Sequence, residues 1–257
     1  VLEHEYKVMG LAAYSKENYS EKLYKNLFEK IIWLNEEDNL VFDSKLNTSH
    51  FYDYLAENAI GERFDNLAGA VQILTEKIVC KWIKNGLVKH PVKNVFLSGG
   101  VFMNVKLNQK IFEIEDIQNL YLMPSCGDES NPIGACYYNS SLLGEDTKPL
   151  KNLYLGLSFN NNKIHKFIKE NRIDKRYSVV EHNDIEEKIS DLLVSREVVA
   201  RFASRGEWGA RSLGNRAILA HPSFMESFYT VNDFIKARDF WMPFAPTILD
   251  SYASKYL

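Results

Sequence analysis

The stretch PVKNVFLSGGVFMNVKLNQKIFEIEDIQNLYLMPSCGDES, residues 91–130, decides the fold. Residues 92–97 are rich in valine, phenylalanine and leucine and end at Ser98, Gly99 and Gly100, the pattern of a short buried strand delivered into a glycine turn. A helix is expected over 101–112. A second strand over 120–123 runs into Pro124, Ser125, Cys126, Gly127 and Asp128, and 133–143 reads as a further helix. Upstream, Phe64, Leu67, Val71, Leu74, Ile78 and Trp82 recur three or four apart, the apolar stripe of an amphipathic helix over 64–85 with Gly86 as its stop. Helix, strand, helix, strand, helix at this spacing predicts an α/β domain whose functional loops lie at the strand ends.

The polar segment 144–150, with Glu145, Asp146 and Pro149, breaks the pattern and places a domain boundary, giving domains 1–146 and 151–257. The second part opens with 153–157, then predicts a helix over 161–171, a strand over 178–181, a helix over 184–195 and a strand over 198–202. Asp184 with Glu187 three residues on has the spacing of a capping box. No internal repeat or low-complexity tract interrupts either part.

With 257 residues, 46% hydrophobic and 25% charged, the chain has the composition of a globular protein with one large or two smaller cores. Its 31 Lys plus Arg against 34 Asp plus Glu give no broad cationic face for nucleic acid or an anionic membrane. Cys80, Cys126 and Cys136 form no CxxC pair, as expected of a reduced, cytoplasmic protein. No apolar run reaches the roughly 18 residues of a membrane span. The first residues carry no initiator Met and the last stop just after an apolar run, so further chain is expected beyond both ends.

The strongest chemical signal is SRGEWGARSLGNRAIL, residues 204–219, directly after a predicted strand. Arg205, Arg211 and Arg216 alternate there with Gly206, Gly209 and Gly214, beside Asn215. Glycines let backbone N–H groups approach an anion, and guanidinium forks bind phosphate bidentately; a carboxylate ligand or a structural aspartate would satisfy the same forks. Lys236 and Arg238, after Asn232, form a second basic pair. At the end of the first strand, Gly99 and Gly100 open a backbone surface, and Asn104 and Asn108 follow on one helix face with amides able to bond hydroxyls. In the loop after the second strand, Asp128 and Glu129 can hold a cation or cap the next helix. Six scattered histidines, with no HxxxH or HxH spacing among them, complete no metal motif. No nucleophile elbow, Walker A loop or dinucleotide fingerprint is present.

At these residues the chain resembles the NodU/CmcH type O-carbamoyltransferases. HEYKVMGLAAYS (4–15) is similar to that family's EYKVMGLAPYG block, LSGGVFMNVKLN to its SGGVAxNxxxN block, and CGDESNPIGACYY to its DxGxxxGAA block. SRGEWGARSLGNRAILAHP is similar to GRxEFGPRALGNRSILADP, and VNDFIKARDFWMPFAP to INxxIKxREWxRPFAP. The resemblance implies the C-terminal half of a TsaD-like domain of the actin and sugar-kinase fold, followed by part of a YrdC-like α/β domain. It implies ATP-dependent formation of carbamoyl adenylate from carbamoyl phosphate, then transfer to a hydroxyl of a small acceptor. The same modules also build threonylcarbamoyl-type tRNA-modifying enzymes, and a non-catalytic nucleotide-binding relative is a further alternative.

By the same resemblance, Arg211, Arg216 and Lys236 are catalytic, while Arg205, Gly209, Gly214, Asn215 and Arg238 hold carbamoyl phosphate and the ATP phosphates. Gly99, Gly100 and Asn104 are expected to contact the nucleotide. Asp128 is expected to bind a divalent metal, Fe²⁺ or Mg²⁺, with the family's histidine ligands in an N-terminal segment outside this sequence. Three positions depart from the pattern: Ser130 replaces a glycine, Ala210 a proline, and Met242 an arginine.

Overall fold

The computed structural model describes residues 5–256 and is a mixed α/β chain of helices and three two-stranded sheets, divided into two compact units. The first comprises the described residues up to Asn131 together with Trp241–Pro243; the second comprises Pro132–Phe240 and the residues from Phe244. His4 lies outside the described residues.

The first unit is organised by one long helix. After α1 (Glu5–Ala12), α2 (Glu17–Leu23), the antiparallel pair β1 (Ile32–Leu34) and β2 (Phe42–Ser44), and α3 (Phe51–Asn58), the chain enters α4 (Phe64–Lys89). Small and amide side chains on its first half, Asn66, Ala68, Gly69, Ala70 and Gln72, are buried where α1 and α2 pack against it. Its second half buries Val79, Ile83 and Leu87, spaced four apart as one helix face requires. The expected stripe is displaced from this face: Phe64 is 80% exposed, while Leu67, Val71, Leu74, Ile78 and Trp82 are only half-buried. Gly86 does not stop the helix, because Leu87 beyond it is part of the core; the helix ends at Lys89, and His90, ahead of Pro91, has left the helical region.

The next elements follow the expected order. Strand β3 (Asn94–Leu97), helix α5 (Val105–Phe112) and strand β4 (Asn119–Leu122) form a βαβ unit with β3 and β4 parallel, Val95 opposite Leu120 and Leu97 opposite Leu122. Between Gly100 and Met103 the chain makes a 3-10 turn rather than the first turn of the expected helix, and Asn104 then caps α5. Leu107 and Ile111 of α5 are wholly buried with Val79, Ile83, Leu87, Leu97 and Phe102, the largest core of this unit. Phe96 and Tyr121 stack on the other face of the strand pair, centroids 4.6 Å apart, and stay exposed.

In the second unit, α6 (Asn131–Leu142), which begins at the last residue of the first unit, leads to α7 (Asn161–Glu170), capped by Asn160, and α8 (Ile185–Val194), capped by Asp184, whose carboxylate accepts the N–H groups of Glu186 and Glu187 at 3.0 Å each. Strand β5 (Val199–Phe202) pairs antiparallel with β6 (Arg216–Leu219). Residues 178–181 form no strand, whereas the end of the arginine-rich stretch becomes β6 by pairing with β5. Short helices α9 (Met225–Tyr229) and α10 (Ala253–Tyr256) complete the unit, with a π-helical turn, Thr230–Ile235, after α9.

Candidate functional site

In the first unit, parallel pairing brings two loops to the same ends of neighbouring strands, the usual place for ligands in open α/β sheets. The Met123 N–H donates to the Leu97 carbonyl at 3.0 Å, carrying the pairing up to the Gly99 turn. Gly99 has φ +108°, a conformation that disfavours other residues, and a Cβ added at Gly99 or Gly100 would meet nothing within 4 Å. The backbone there is open to an approaching group. Asn104 Oδ1 accepts the Leu107 N–H at 3.0 Å, and its amide exchanges two hydrogen bonds with Gln72 of α4.

The loop after β4 is tightly folded on itself. Glu129 accepts a hydrogen bond from the Ser125 hydroxyl, which holds its carboxyl below the usual range. A Cβ on Gly127 would crowd the Glu129 carboxyl group, with Cδ at 2.9 Å, so a larger residue there would shift that exposed side chain. Ser130, at a position where the resembling family has glycine, donates from its hydroxyl to the Gly127 carbonyl at 2.9 Å and closes the same turn. Asp128 is exposed. Among the described residues no three His, Cys, Asp or Glu side chains gather to hold a metal ion, so these residues alone do not fit one.

In the second unit, the arginines of the 204–216 loop divide into two kinds. Arg205 donates to the Gly156 and Leu155 carbonyls, both at 3.0 Å. Arg216, the first residue of β6, donates to the carbonyls of Ala203, Asn215 and Ser204, with its guanidinium 3.5 Å from the Phe202 ring centre. These two forks frame the loop. Arg211 is exposed, and no hydrogen bond or ion pair engages its guanidinium among the described residues. Asn215 donates from Nδ2 to the Arg205 carbonyl at 3.0 Å, while its backbone N–H donates to Glu207 Oε1 at 2.5 Å. Gly209 and Gly214 both have φ +103°, so the turns around Arg211 need them.

Two non-glycine residues in the left-handed region adjoin the cations. Ser204 (φ +48°) precedes Arg205, and Ala237 (φ +45°) separates Lys236 from Arg238. Arg238 donates from Nε to Asn232 Oδ1 at 2.5 Å and lies 4.8 Å from the Phe244 ring centre. Lys236 is exposed, its backbone N–H donating to the Val231 carbonyl at 2.9 Å.

The blocks that carry these loops match known sequences in order. A profile described as the carbamoyltransferase N-terminus matches residues 2–137, and one described as the carbamoyltransferase C-terminus matches residues 190–257. The chain belongs to the carbamoyltransferase family. The glycine turn and Asp128 fall in the carbamoyltransferase N-terminal match, and the arginine loop, Lys236 and Arg238 in the C-terminal one. An uncharacterized protein of Methanocaldococcus jannaschii is 30% identical over 95% of this chain and 41% of its own length. Nodulation protein NolO of Bradyrhizobium diazoefficiens is 25% identical over 98% of the chain and 46% of its own length. The 3'-hydroxymethylcephem-O-carbamoyltransferase of Streptomyces clavuligerus is 24% identical over 93% of the chain and 43% of its own length. The chain thus spans less than half the length of these carbamoyltransferase-family relatives.

Three contributors to these carbamoyltransferase loops were not singled out in the sequence. Glu207 was legible as the one carboxylate between Ser204 and Arg216. Tyr154, whose hydroxyl donates to the Leu213 carbonyl at 3.1 Å, and Gln72 act across long sequence separations and leave no local pattern.

Proposed function

We propose that the chain is part of an ATP-dependent O-carbamoyltransferase, with a TsaD-like portion followed by a YrdC-like portion. In this reading carbamoyl phosphate and water give carbamate and inorganic phosphate. A carbamate oxygen attacks the α-phosphorus of ATP, the bond to the pyrophosphate oxygen breaks, and carbamoyl adenylate and pyrophosphate form. The acceptor's hydroxyl oxygen then attacks the carbamoyl carbon, AMP leaves, and the hydroxyl proton passes to a base. Each step leaves negative charge on phosphate oxygens, so fixed cations and N–H donors are what they need. Asp128 alone makes no metal site, and no step is assigned to a metal.

The observation that carries this reading is that both halves of one family's pattern occur in order, with Arg211 left uncommitted on a loop that Arg205 and Arg216 hold open. Strained backbone at Ser204 and Ala237, beside the cations, supports a functional rather than a merely structural role. Arg211 and Lys236 are the proposed anion contacts, Arg205 and Arg216 the frame, and Gly99, Gly100 and Asn104 the nucleotide contacts. The acceptor is a small hydroxyl-bearing molecule. The slightly acidic charge balance favours it over a transfer RNA.

The test uses the full-length protein with labelled carbamoyl phosphate and ATP, following carbamoyl adenylate and pyrophosphate. Arg211→Ala and Lys236→Ala are expected to lower adenylate yield at least tenfold with unchanged thermal unfolding. Unchanged yield in both variants removes the site assignment. Arg216→Ala is expected to lose both activity and loop stability, because four hydrogen-bonding and ring contacts of its guanidinium go together.

A further inference from the structure

The amide that follows the glycine turn is oriented from two sides. At one end, the Leu107 backbone N–H, which can only donate, requires the oxygen of Asn104. At the other, Gln72 Nε2 donates at 2.7 Å to Glu76 Oε1, a carboxylate that can only accept. Between them Gln72 Nε2 donates to Asn104 Oδ1 at 3.2 Å, and Asn104 Nδ2 donates back to Gln72 Oε1 at 2.8 Å. Reversing either amide would set two acceptors or two donors against each other at one end of this chain.

Counting donors shows what is left over. Both N–H groups of Gln72 are engaged, one by Glu76 and one by Asn104. Asn104 Oδ1 accepts twice, and its Nδ2 donates once, so one N–H of Asn104 has no partner among the described residues. Gln72 is buried at 9% exposure, whereas Asn104 is half-buried and follows the open turn at Gly99 and Gly100. Gln72 and Glu76 stand on α4, and Asn104 caps α5, which packs against α4, so the donor is set at the edge of rigid elements.

We infer that Gln72, itself held by Glu76, is a positioning residue that keeps the remaining Asn104 N–H as a fixed donor to an acceptor oxygen of the nucleotide at the Gly99–Gly100 turn. This rests on the nucleotide placement proposed above. Gln72 does not touch the ligand; its effect passes through Asn104.

The test measures ATP affinity of the full-length protein by titration calorimetry, with thermal unfolding followed separately. Asn104→Ala is expected to weaken ATP binding about three- to tenfold, the range of one hydrogen bond. Gln72→Met keeps the volume without the amide and is expected to weaken binding by up to the same factor. In the Asn104→Ala background Gln72→Met should then have no further effect. Should Gln72→Met fail to fold, Glu76→Lys at a half-buried position replaces the acceptor by a donor, and is expected to weaken ATP binding in the same way. Normal affinity in Asn104→Ala removes the nucleotide placement itself. Weakened Asn104→Ala with normal Gln72→Met or Glu76→Lys overturns the positioning role, as does a double variant in which the two effects simply add.

Discussion

Gly156 and Gly206 meet backbone to backbone: the Gly156 N–H donates to the Gly206 carbonyl at 2.9 Å, and the Gly206 N–H donates to the Leu157 carbonyl at 2.9 Å. The two glycines are not equivalent. A Cβ on Gly156 would lie 2.9 Å from Gly206 Cα and 3.0 Å from its carbonyl oxygen, whereas one on Gly206 would lie 3.4 Å from Gly156 Cα. Gly156→Ala is therefore expected to destabilise by about 1–3 kcal/mol through overpacking and to displace the carbonyl that Arg205 grips, while Gly206→Ala stays near neutral. Thermal unfolding of the two variants side by side decides it; equal losses would mean that the backbone contact is not tight.

The crossing of α4 with the segment after α1 depends on Gly69 in the same way. A Cβ there would lie 2.8 Å from Ser15 Cβ and collide with the Ser20 hydroxyl. Gly69→Ala should cost about 1–3 kcal/mol in urea unfolding, despite alanine's better helix propensity. The Ser20 hydroxyl is buried without a hydrogen-bond partner among the described residues. Ser20→Ala removes an unsatisfied group and should leave stability unchanged or raised.

Arg201 and Glu186 form a bidentate pair, both bonds 2.6 Å. The Arg201 hydrogen bonds hold the Glu186 carboxyl below its ordinary value. A carboxyl depressed in the folded state contributes stability that is complete above its unfolded pKa, about 4.3, and is lost as pH falls through the folded value. Glu186→Gln should therefore be less stable than the unaltered chain near neutrality and indistinguishable from it in acid below both values. A difference that persists unchanged into acid would show that the pair contributes through packing instead of charge. The pair lies on the surface, so a small effect is expected.

Thiol chemistry should separate the three cysteines. Burial pushes the Cys80 and Cys126 thiols up, and Cys126 also donates to the Met123 carbonyl at 2.9 Å; Cys136 is exposed. Mass-mapped alkylation at mildly alkaline pH is expected to label Cys136 first and Cys126 last. Early labelling of Cys126 would mean that the core around Leu107 and Ile111 opens readily.

How much of this was legible depended on how local the cause was. The β3, glycine turn, α5, β4 order was readable because a short apolar run and a glycine pair act within a few residues. The cap at Asp184 was readable at the same range, whereas the Asn160 cap of α7 was not singled out. What escaped was set by distant partners. Arg216–Leu219 is a strand because Ala200 and Phe202 pair with it, not because of its own pattern. Gly86 looked like a stop, yet Leu87 has a core to enter. The backbone at Gly99 and Gly100 is open, as a glycine pair after a strand allows. The spacing of the arginines alone does not separate the ligand-facing forks from the structural ones; the folded loop turns two of them inward onto backbone carbonyls.

That division of labour also bears on how such a loop can diverge. Because Arg205 ties the start of the connection to the Leu155 and Gly156 carbonyls and Arg216 ties its end to the Ala203 and Ser204 carbonyls, the exposed Arg211 between them can change without loosening the hairpin beneath it. Natural variants that differ at this tip on unchanged roots are the form in which change at the proposed anion site should appear.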